Sequence, residues 1–592
     1  MRLDKIMHIS RSVIGILIAG SLILMAISAN YMVGHPFWGN YPLMLLLPFW
    51  LSVNFGYLLL KRSNFLSSSR IWLSIITGLI LGKAFIYDSP LLFIGFIPLL
   101  LLKAELERQT EKTKMSVHWV FAFNAFVIWN IVATYWVANA ALIPACVAIL
   151  LNSFFMTIPW CSSILFERYF PKVQGFSLIF FWIGFEWVHQ SWEISWPWLT
   201  LGNGFAFYSK WIQWYDCTGT FGGSLWILLV NILFSKAYQN RRFNWVYIPL
   251  SLLIVLVPIW IGYYKYDRVN LSGNLVEVGI IQPNYEPHFE KFSIDQREQM
   301  QRFAALSKKA LTANTKYLLW PETSFEYIEI DQFDTDWRIQ TMKDLIGPDS
   351  EMCLVSGLTT LKTFKEGEHL SDAARENKRG GFPRFYEIQN SAVQISSYSN
   401  DIPVYVKSKL VPGVETFPYR KLLPFLKPIV DKLGGSVHGL GKQSERSVFH
   451  CNSLSIAPVI CYESVYGNYV GDYIRKGAQA IFIMTNDGWW DDSPGHKQHL
   501  AFGALRAIEF RRPIARCANT GISCFVNARG DISQALAYGK QGSITGTIAF
   551  TNQETFYSKS GDFIAYVCLI FSLIALLFLL TIILQVRFLK SQ

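Results

Sequence analysis

Two regimes of hydrophobic patterning divide this chain. As far as about residue 263, long apolar runs alternate with short polar loops. From Leu275 onward the runs are short and β-prone, with amphipathic stretches between them, and a last long apolar run covers residues 563–586. A bilayer hydrocarbon core of about 30 Å is crossed by about 20 helical residues. The candidate spans are therefore 13–29, 41–60, 71–87, 90–102 with its flanks, 118–138, 140–160, 174–188, 219–234, 245–263 and 563–586. The fourth is short and admits a re-entrant reading, so ten spans are expected, with nine as the alternative. Beyond residue 275 the pattern predicts strands at 276–282, 317–320, 352–358, 387–396, 403–406, 453–460, 480–485, 514–518, 524–527 and 543–549. It predicts helices at 294–313, 465–476 and 497–509. Nearly 300 residues of this kind make one large α/β domain with helices covering sheets. The polar stretch 366–381, ending at Gly380-Gly381, reads as a surface insertion. The expected organisation is a multi-span domain of about nine helices (1–263), an α/β domain (264–562), and a C-terminal membrane helix with a cytoplasmic tail (563–592).

Charge sets an orientation. Arg2/Lys5/Arg11, Lys61/Arg62/Arg70, Lys103/Arg108/Lys112/Lys114, Arg168/Lys172 and Lys236/Arg241/Arg242 fall on alternate loops, and Arg587 and Lys590 close the chain. By the positive-inside rule, both termini are cytoplasmic and residues 264–562 lie outside. Of the 592 residues 52% are hydrophobic and 16% charged, against roughly a quarter charged in soluble proteins. The net charge of +11 then reads as cytoplasmic loops meeting anionic lipid, not as a nucleic-acid surface. Nine cysteines show no CxxC spacing, which argues against a zinc site or a disulfide scaffold. The Trp-rich loop 191–203 reads as an interfacial aromatic belt, with a lipid entry beside the α/β domain as the sharper alternative.

Three segments carry chemistry: Leu318-Leu-Trp-Pro-Glu322, Tyr405-Val-Lys407 and Ala457-Pro-Val-Ile-Cys461-Tyr-Glu463. Each ends an apolar run in a reactive group. Cys461 stands at a strand end before a predicted helix, where a thiolate gains from the helix N-terminus and a nearby cation. A carboxylate ending a buried strand, as at Glu322, is costly unless paired. Singly, each has an ordinary structural explanation: a core cysteine, a strand cap, an edge-strand lysine. Together they supply a base, an oxyanion stabiliser and a nucleophile, the parts for acyl transfer through a thioester.

The order Glu–Lys–Cys in these motifs resembles the nitrilase superfamily, whose domain is an αββα sandwich. The flanking spans resemble its bacterial membrane branch, the apolipoprotein N-acyltransferases. Supporting stretches are Gly279-Ile-Ile-Gln-Pro-Asn284, Gln389-Asn-Ser-Ala392, Lys407-Ser-Lys-Leu-Val-Pro412, Thr485-Asn-Asp-Gly-Trp489-Trp, and Gln498-His with Arg506 through Pro513 and Asn519-Thr-Gly521. The resemblance implies Glu322 as general base, Lys407 as oxyanion-stabilising cation, Cys461 as nucleophile and Glu415 as a second acidic group. It implies that Tyr462, Glu463 and Trp489 line the pocket. Tyr-x-Lys placement and the spacing to Glu415 favour Lys407 over Lys409. The chain departs from the pattern in two extra N-terminal spans, in Lys291-Phe292 where the family commonly has Lys-Trp on a lid loop, and in Pro412-Gly-Val-Glu415.

The implied reaction moves a fatty acyl chain from a phospholipid to Cys461, then to the N-terminal amine of a diacylglyceryl-cysteine apolipoprotein. No metal or organic cofactor and no nucleic acid are expected. The implied setting is a multi-pass monomer of the bacterial inner membrane, in contact with membrane lipid, with its catalytic domain facing the periplasm. The rivals are a membrane-tethered amidase that uses water as acceptor, a transporter with a ligand-binding domain, and a Ser/His hydrolase using His496 or His499. Those histidines read better as orienting the loop after Trp490.

Overall fold

The computed structural model describes residues 11–60, 65–108, 113–239, 244–291, 293–348, 350–377, 384–422 and 438–591. The expectations placed on Arg2, Lys5, Lys61, Arg62, Lys112, Arg241, Arg242, Phe292, Gly380 and Gly381 lie outside them. The first half folds into helices α1 (Arg11–Gly34), α2 (Tyr41–Leu60), α3 (Phe65–Ala84), α4 (Ile97–Glu107), α5 (Met115–Thr134), α6 (Leu142–Tyr169), α7 (Ser177–Ser191), α8 (Tyr215–Gln239) and α9 (Asn244–Tyr266). Among the described residues, eight helices of the whole chain are long and apolar enough to cross a membrane. These are α1, α2, α4 with the 3₁₀ turn before it (Ser89–Glu107), α5, α6, α8, α9 and the C-terminal helix. The protein is a multi-pass membrane protein. Two expected spans are not among the eight: α3, and α7, which has only 15 residues.

The second half places strands β1 (Asn274–Gln282), β2 (Thr315–Leu319), β3 (Phe325–Glu329), β4 (Cys353–Thr363), β5 (Arg375–Asn377), β6 (Arg384–Ser396) and β7 (Val404–Val406) in one sheet with β14 (Gly542–Phe550). A second sheet runs in the order β13 (Ile532–Leu536), β12 (Ser523–Val526), β11 (Ile514–Ala518), β10 (Ala480–Thr485), β9 (Leu454–Ile460), β8 (Phe449–Cys451). The central strands β1–β2–β4 and β9–β10–β11 pair in parallel. Parallel strands covered on both faces read as continuous apolar runs, and every residue of β9, β10 and β11 is buried. That is why these strands were plain in the sequence.

The sheets stack face to face, with Tyr317 of β2 edge-on to Phe482 of β10 at 5.0 Å. Outside the first sheet lie α10 (Gln296–Ala310) and α11 (Trp337–Ile346), N-capped by Asp295 and Asp336. Outside the second lie α12 (Gly467–Arg475) and α13 (Pro494–Phe510). The layering is αββα, as the resemblance implied. α14 (Phe556–Ser560) and the C-terminal α15 (Phe563–Ser591) complete the chain.

A disulfide joins Cys353 of β4 to Cys451 of β8, with Cα atoms 6.1 Å apart. Reading the cysteines by spacing alone missed it, because 98 residues separate the two and only the stacking of the sheets brings them together.

One hydrophobic core runs from the helical bundle into the sandwich. α13 docks on the bundle through Gln498. Its Oε1 accepts from Trp198 Nε1 (2.8 Å) and Trp136 Nε1 (3.1 Å), and its Nε2 donates to Phe85 O (3.0 Å) and Ala133 O (3.2 Å). Trp198 is buried in this junction. The Trp-rich loop is therefore corrected in its centre: it is a packed seam between the two halves, not an exposed belt.

Candidate active site

Four polar side chains converge: Glu322 after β2, Asn390 in the middle of β6, Lys407 after β7, and Glu415 in the segment beyond. Glu322 comes after β2 through Trp320-Pro321, and Trp320 is anchored by Nε1 donating to Ser307 Oγ at 3.0 Å. The backbone of β4 crosses close by: a Cβ on Gly357 would lie 2.6 Å from the Glu322 Cα. Lys407 directly succeeds β7, its amide donating to Asn390 O at 2.8 Å. Its Nζ lies 3.1 Å from Glu322 Oε1 and 2.9 Å from Glu415 Oε1. Asn390 Nδ2 donates to the same two oxygens at 2.8 and 3.1 Å. Glu415 is held by Val411 N donating to its Oε2 at 2.8 Å. Lys407 is 1% exposed. Burial works against its charge, but Glu322 and Glu415 outweigh it and hold the ammonium well above its ordinary value. Lys409 goes elsewhere: its Nζ donates to Gln190 O at 2.9 Å.

Cys461 is the first residue after β9 and is 9% exposed. Its φ is +48°, a left-handed value that costs a non-glycine residue about 1–3 kcal/mol and that clusters at functional sites. Cys461 opens a five-residue 3₁₀ turn, Cys461–Val465, and α12 begins only at Gly467. The expected gain from a helix N-terminus is therefore corrected. Burial pushes the thiol up and Glu322 pushes it further; Lys407 and a hydrogen bond with Thr485 pull the other way and lose. At neutral pH the group is a thiol, and a base must take its proton.

The turn is locked from beneath. The Cys461 carbonyl accepts from Ser464 Oγ at 2.7 Å and faces His499 Nε2 at 3.1 Å. His499 Nδ1 lies 2.8 Å from Asp487 Oδ1, and Arg516 Nη2 donates to Asp487 Oδ2 at 2.6 Å. His499 thus supports the Cys461 turn, not merely the loop after Trp490. His496 stacks on Tyr538 at 4.5 Å.

The residues expected to line the pocket separate. Glu463 is buried under Cys461: its Oε1 accepts from Tyr405 OH (2.6 Å), Tyr469 OH (2.6 Å) and Ser408 N (2.8 Å), and its Oε2 from Ile460 N (3.0 Å). It ties the residues flanking Lys407 to the one before Cys461. Tyr462 is buried with its OH donating to Ser195 O at 3.0 Å, in the seam with the Trp-rich loop. Trp489 lies at the surface, its ring meeting His288 at 5.0 Å. Over Glu322 lies a second buried lysine, Lys291, whose Nζ donates to Thr323 Oγ1 at 2.5 Å. Burial pulls its ammonium down to about 8, against the pull of Glu322 and Glu326.

Asn390, Asp487 and Arg516 were not singled out from the sequence. The first two lie inside stretches that carried the resemblance, but their roles depend on partners far along the chain.

Residues 277–555 match the carbon-nitrogen hydrolase family, and residues 77–233 match the apolipoprotein N-acyltransferase N-terminal domain. The chain belongs to the apolipoprotein N-acyltransferase family. It is similar to the apolipoprotein N-acyltransferase of Chlorobaculum tepidum, with 27% identity over 526 residues, 85% of this chain and 95% of the relative. The apolipoprotein N-acyltransferase of Geobacter metallireducens is 26% identical over 84% of this chain and 92% of its own length. Among solved structures, a Saccharomyces cerevisiae protein of branch 10 of the nitrilase superfamily aligns at a TM-score of 0.34 with 16% identity, covering 48% of this chain and 92% of that protein. One matched family domain falls in the α/β half of the fold and the other in the helical half. These two relatives match this chain along nearly their whole length, and the rival amidase reading draws no support from them.

Proposed function

We propose that this chain transfers a fatty acyl group from a phospholipid to the N-terminal amine of a diacylglyceryl-cysteine apolipoprotein, through a thioester on Cys461. The observation that carries the site assignment is the buried Lys407 ammonium, shared by Glu322 and Glu415 beside a neutral thiol. Glu322 removes the Cys461 proton as sulfur attacks the ester carbonyl. Lys407 stabilises the oxyanion, a contribution typically worth about 3–4 kcal/mol for a preorganised donor. The lysophospholipid leaves with the proton, and the acyl group stays on sulfur. The incoming amine then attacks the thioester with Glu322 as base; the C–S bond breaks and the thiol is restored. Glu415 and Asn390 hold Lys407 and Glu322 in place, and Glu463 sets the spacing between Lys407 and Cys461.

The membrane helices suit this chemistry, since both substrates have acyl chains in the bilayer. We place the α/β domain on the periplasmic side of the inner membrane. Support comes from the loop charges, which alternate when α3 and α7 are counted as spans, and from the Cys353–Cys451 disulfide, which persists in oxidising compartments. One chain contains all the proposed groups, so the reaction needs no second subunit.

Purified protein incubated with phospholipid gains one fatty-acyl mass on the Cys461 peptide, and Cys461→Ala does not. With a diacylated lipopeptide added, triacylated product appears. An active protein whose Cys461 is never modified sinks the thioester mechanism.

A further inference from the structure

The α1–α2 hairpin precedes the matched N-terminal family domain, which begins at residue 77. Its turn reaches the α/β domain. Gly39 N donates to Asp491 Oδ2 at 2.8 Å. Asn139 Nδ2 donates both to Gly39 O (3.1 Å) and to Trp490 O (2.8 Å), and Tyr135 OH donates to Asn40 Oδ1 at 2.5 Å. Gly39 itself has φ +52°, a conformation that suits glycine. The turn is pinned to the bundle on one side and to the loop after β10 on the other.

Beside this pinned turn, Phe37 packs edge-on to Phe289, with centroids 6.2 Å apart and planes at 86°. Phe289 belongs to the segment between β1 and α10. The segment is compact: Phe289 N donates to Glu286 Oε2 at 2.7 Å and Lys291 N to Glu286 O at 2.9 Å. Its far end buries Lys291 against Thr323, next to Glu322. Residues 284–291 therefore cover the proposed base and rest on the added hairpin at Phe37. The cover is closed in this structure, since Glu322, Lys407 and Cys461 are each at most 9% exposed. A lipid ester reaches sulfur only if such a cover moves, and closure keeps water out between the two half-reactions.

We infer that Phe37 is a positioning residue which holds the 284–291 cover closed over the acylated Cys461 and so favours the amine acceptor over water. The inference rests on the acyl-transfer reading. The step it restrains is hydrolysis. In that step the oxygen of water attacks the thioester carbonyl, the C–S bond breaks, the fatty acid leaves, and the displaced proton passes through Glu322 to the sulfur. An edge-on aromatic contact changes an opening equilibrium by about fivefold.

The test loads wild type, Phe37→Ala and Phe37→Leu with phospholipid, removes the donor, and tracks the acyl mass on the Cys461 peptide without acceptor. Phe37→Ala shortens the acyl-enzyme lifetime about fivefold, and Phe37→Leu, which keeps an apolar contact but not the edge-on ring, restores it only in part. Hydrogen exchange of the 284–291 amides gives a second readout: it quickens in Phe37→Ala and is intermediate in Phe37→Leu. An unchanged lifetime in a variant whose wild-type parent is acylated overturns the role of Phe37. If the wild type never acquires an acyl group, the acyl-transfer reading fails instead; hydrogen exchange then decides the cover alone, and unchanged exchange overturns it.

Discussion

Cys461 and Glu322 oppose each other electrostatically, and that opposition separates two measurements that usually move together. The carboxylate raises the thiol, yet the proposed chemistry needs it to accept the thiol proton. Glu322→Gln removes the anion and the base at once. Acylation by phospholipid falls by about 10²–10⁴, the range of a lost general base. Alkylation of Cys461 by iodoacetamide at pH 8 becomes faster than in wild type, because the thiol pKa drops and more thiolate is present. Parallel losses in both assays would remove Glu322 from the role of base. At this scale the proposed triad was legible because each member ends an apolar run, where a polar group is conspicuous. Asn390, Asp487 and Arg516 were not, since each is an ordinary polar residue until its distant partner is known. The state of Cys461 was also out of reach of the sequence: a strand leading into a predicted helix suggested a stabilised thiolate, whereas burial and the Glu322 charge leave a thiol.

β4 illustrates how an element constrains a site it does not enter. Gly357 lets its backbone pass against the Pro321–Thr323 segment, where an added Cβ would lie 2.6 Å from the Glu322 Cα and 2.8 Å from Pro321 O. Those are backbone atoms, which can yield only if the whole segment shifts. Gly357→Ala therefore displaces Glu322 while the sandwich still folds, and a misplacement of about 1 Å costs roughly 100-fold in rate. Acylation of the Cys461 peptide, set beside an unchanged circular dichroism spectrum, measures it; wild-type acylation would show that the segment relaxes freely. The same scale shows which elements periodicity detects. β9, β10 and β11 are buried throughout and were predicted almost to the residue. β3, β5, β8, β13, α11 and α14 were missed: β5 and β8 have three residues each, α14 has five, and β13 is an exposed edge without an apolar face.

At the scale of the molecule, the Cys353–Cys451 disulfide fastens one sheet to the other across a 98-residue separation. Closing a loop of that length stabilises a fold by about 2–5 kcal/mol. The double variant Cys353→Ser/Cys451→Ser lowers the unfolding temperature of the α/β domain and leaves Cys461 acylation intact at low temperature. An unchanged midpoint would mean that the stacked sheets hold without it. Gln498 and Trp198 join the sandwich to the bundle, so the Trp-rich loop that looked like a membrane belt is an internal seam. The sequence by itself determined the division into membrane and α/β halves, the central strands and the three reactive groups, because all of these are local: burial on both faces makes a continuous apolar run, and a charge at its end stands out. Tertiary structure decided what depends on residues meeting across the fold. It paired the cysteines, set Asn390 and Glu415 beside Lys407, closed the thiol in a buried turn, and laid the added hairpin against the cover of the site.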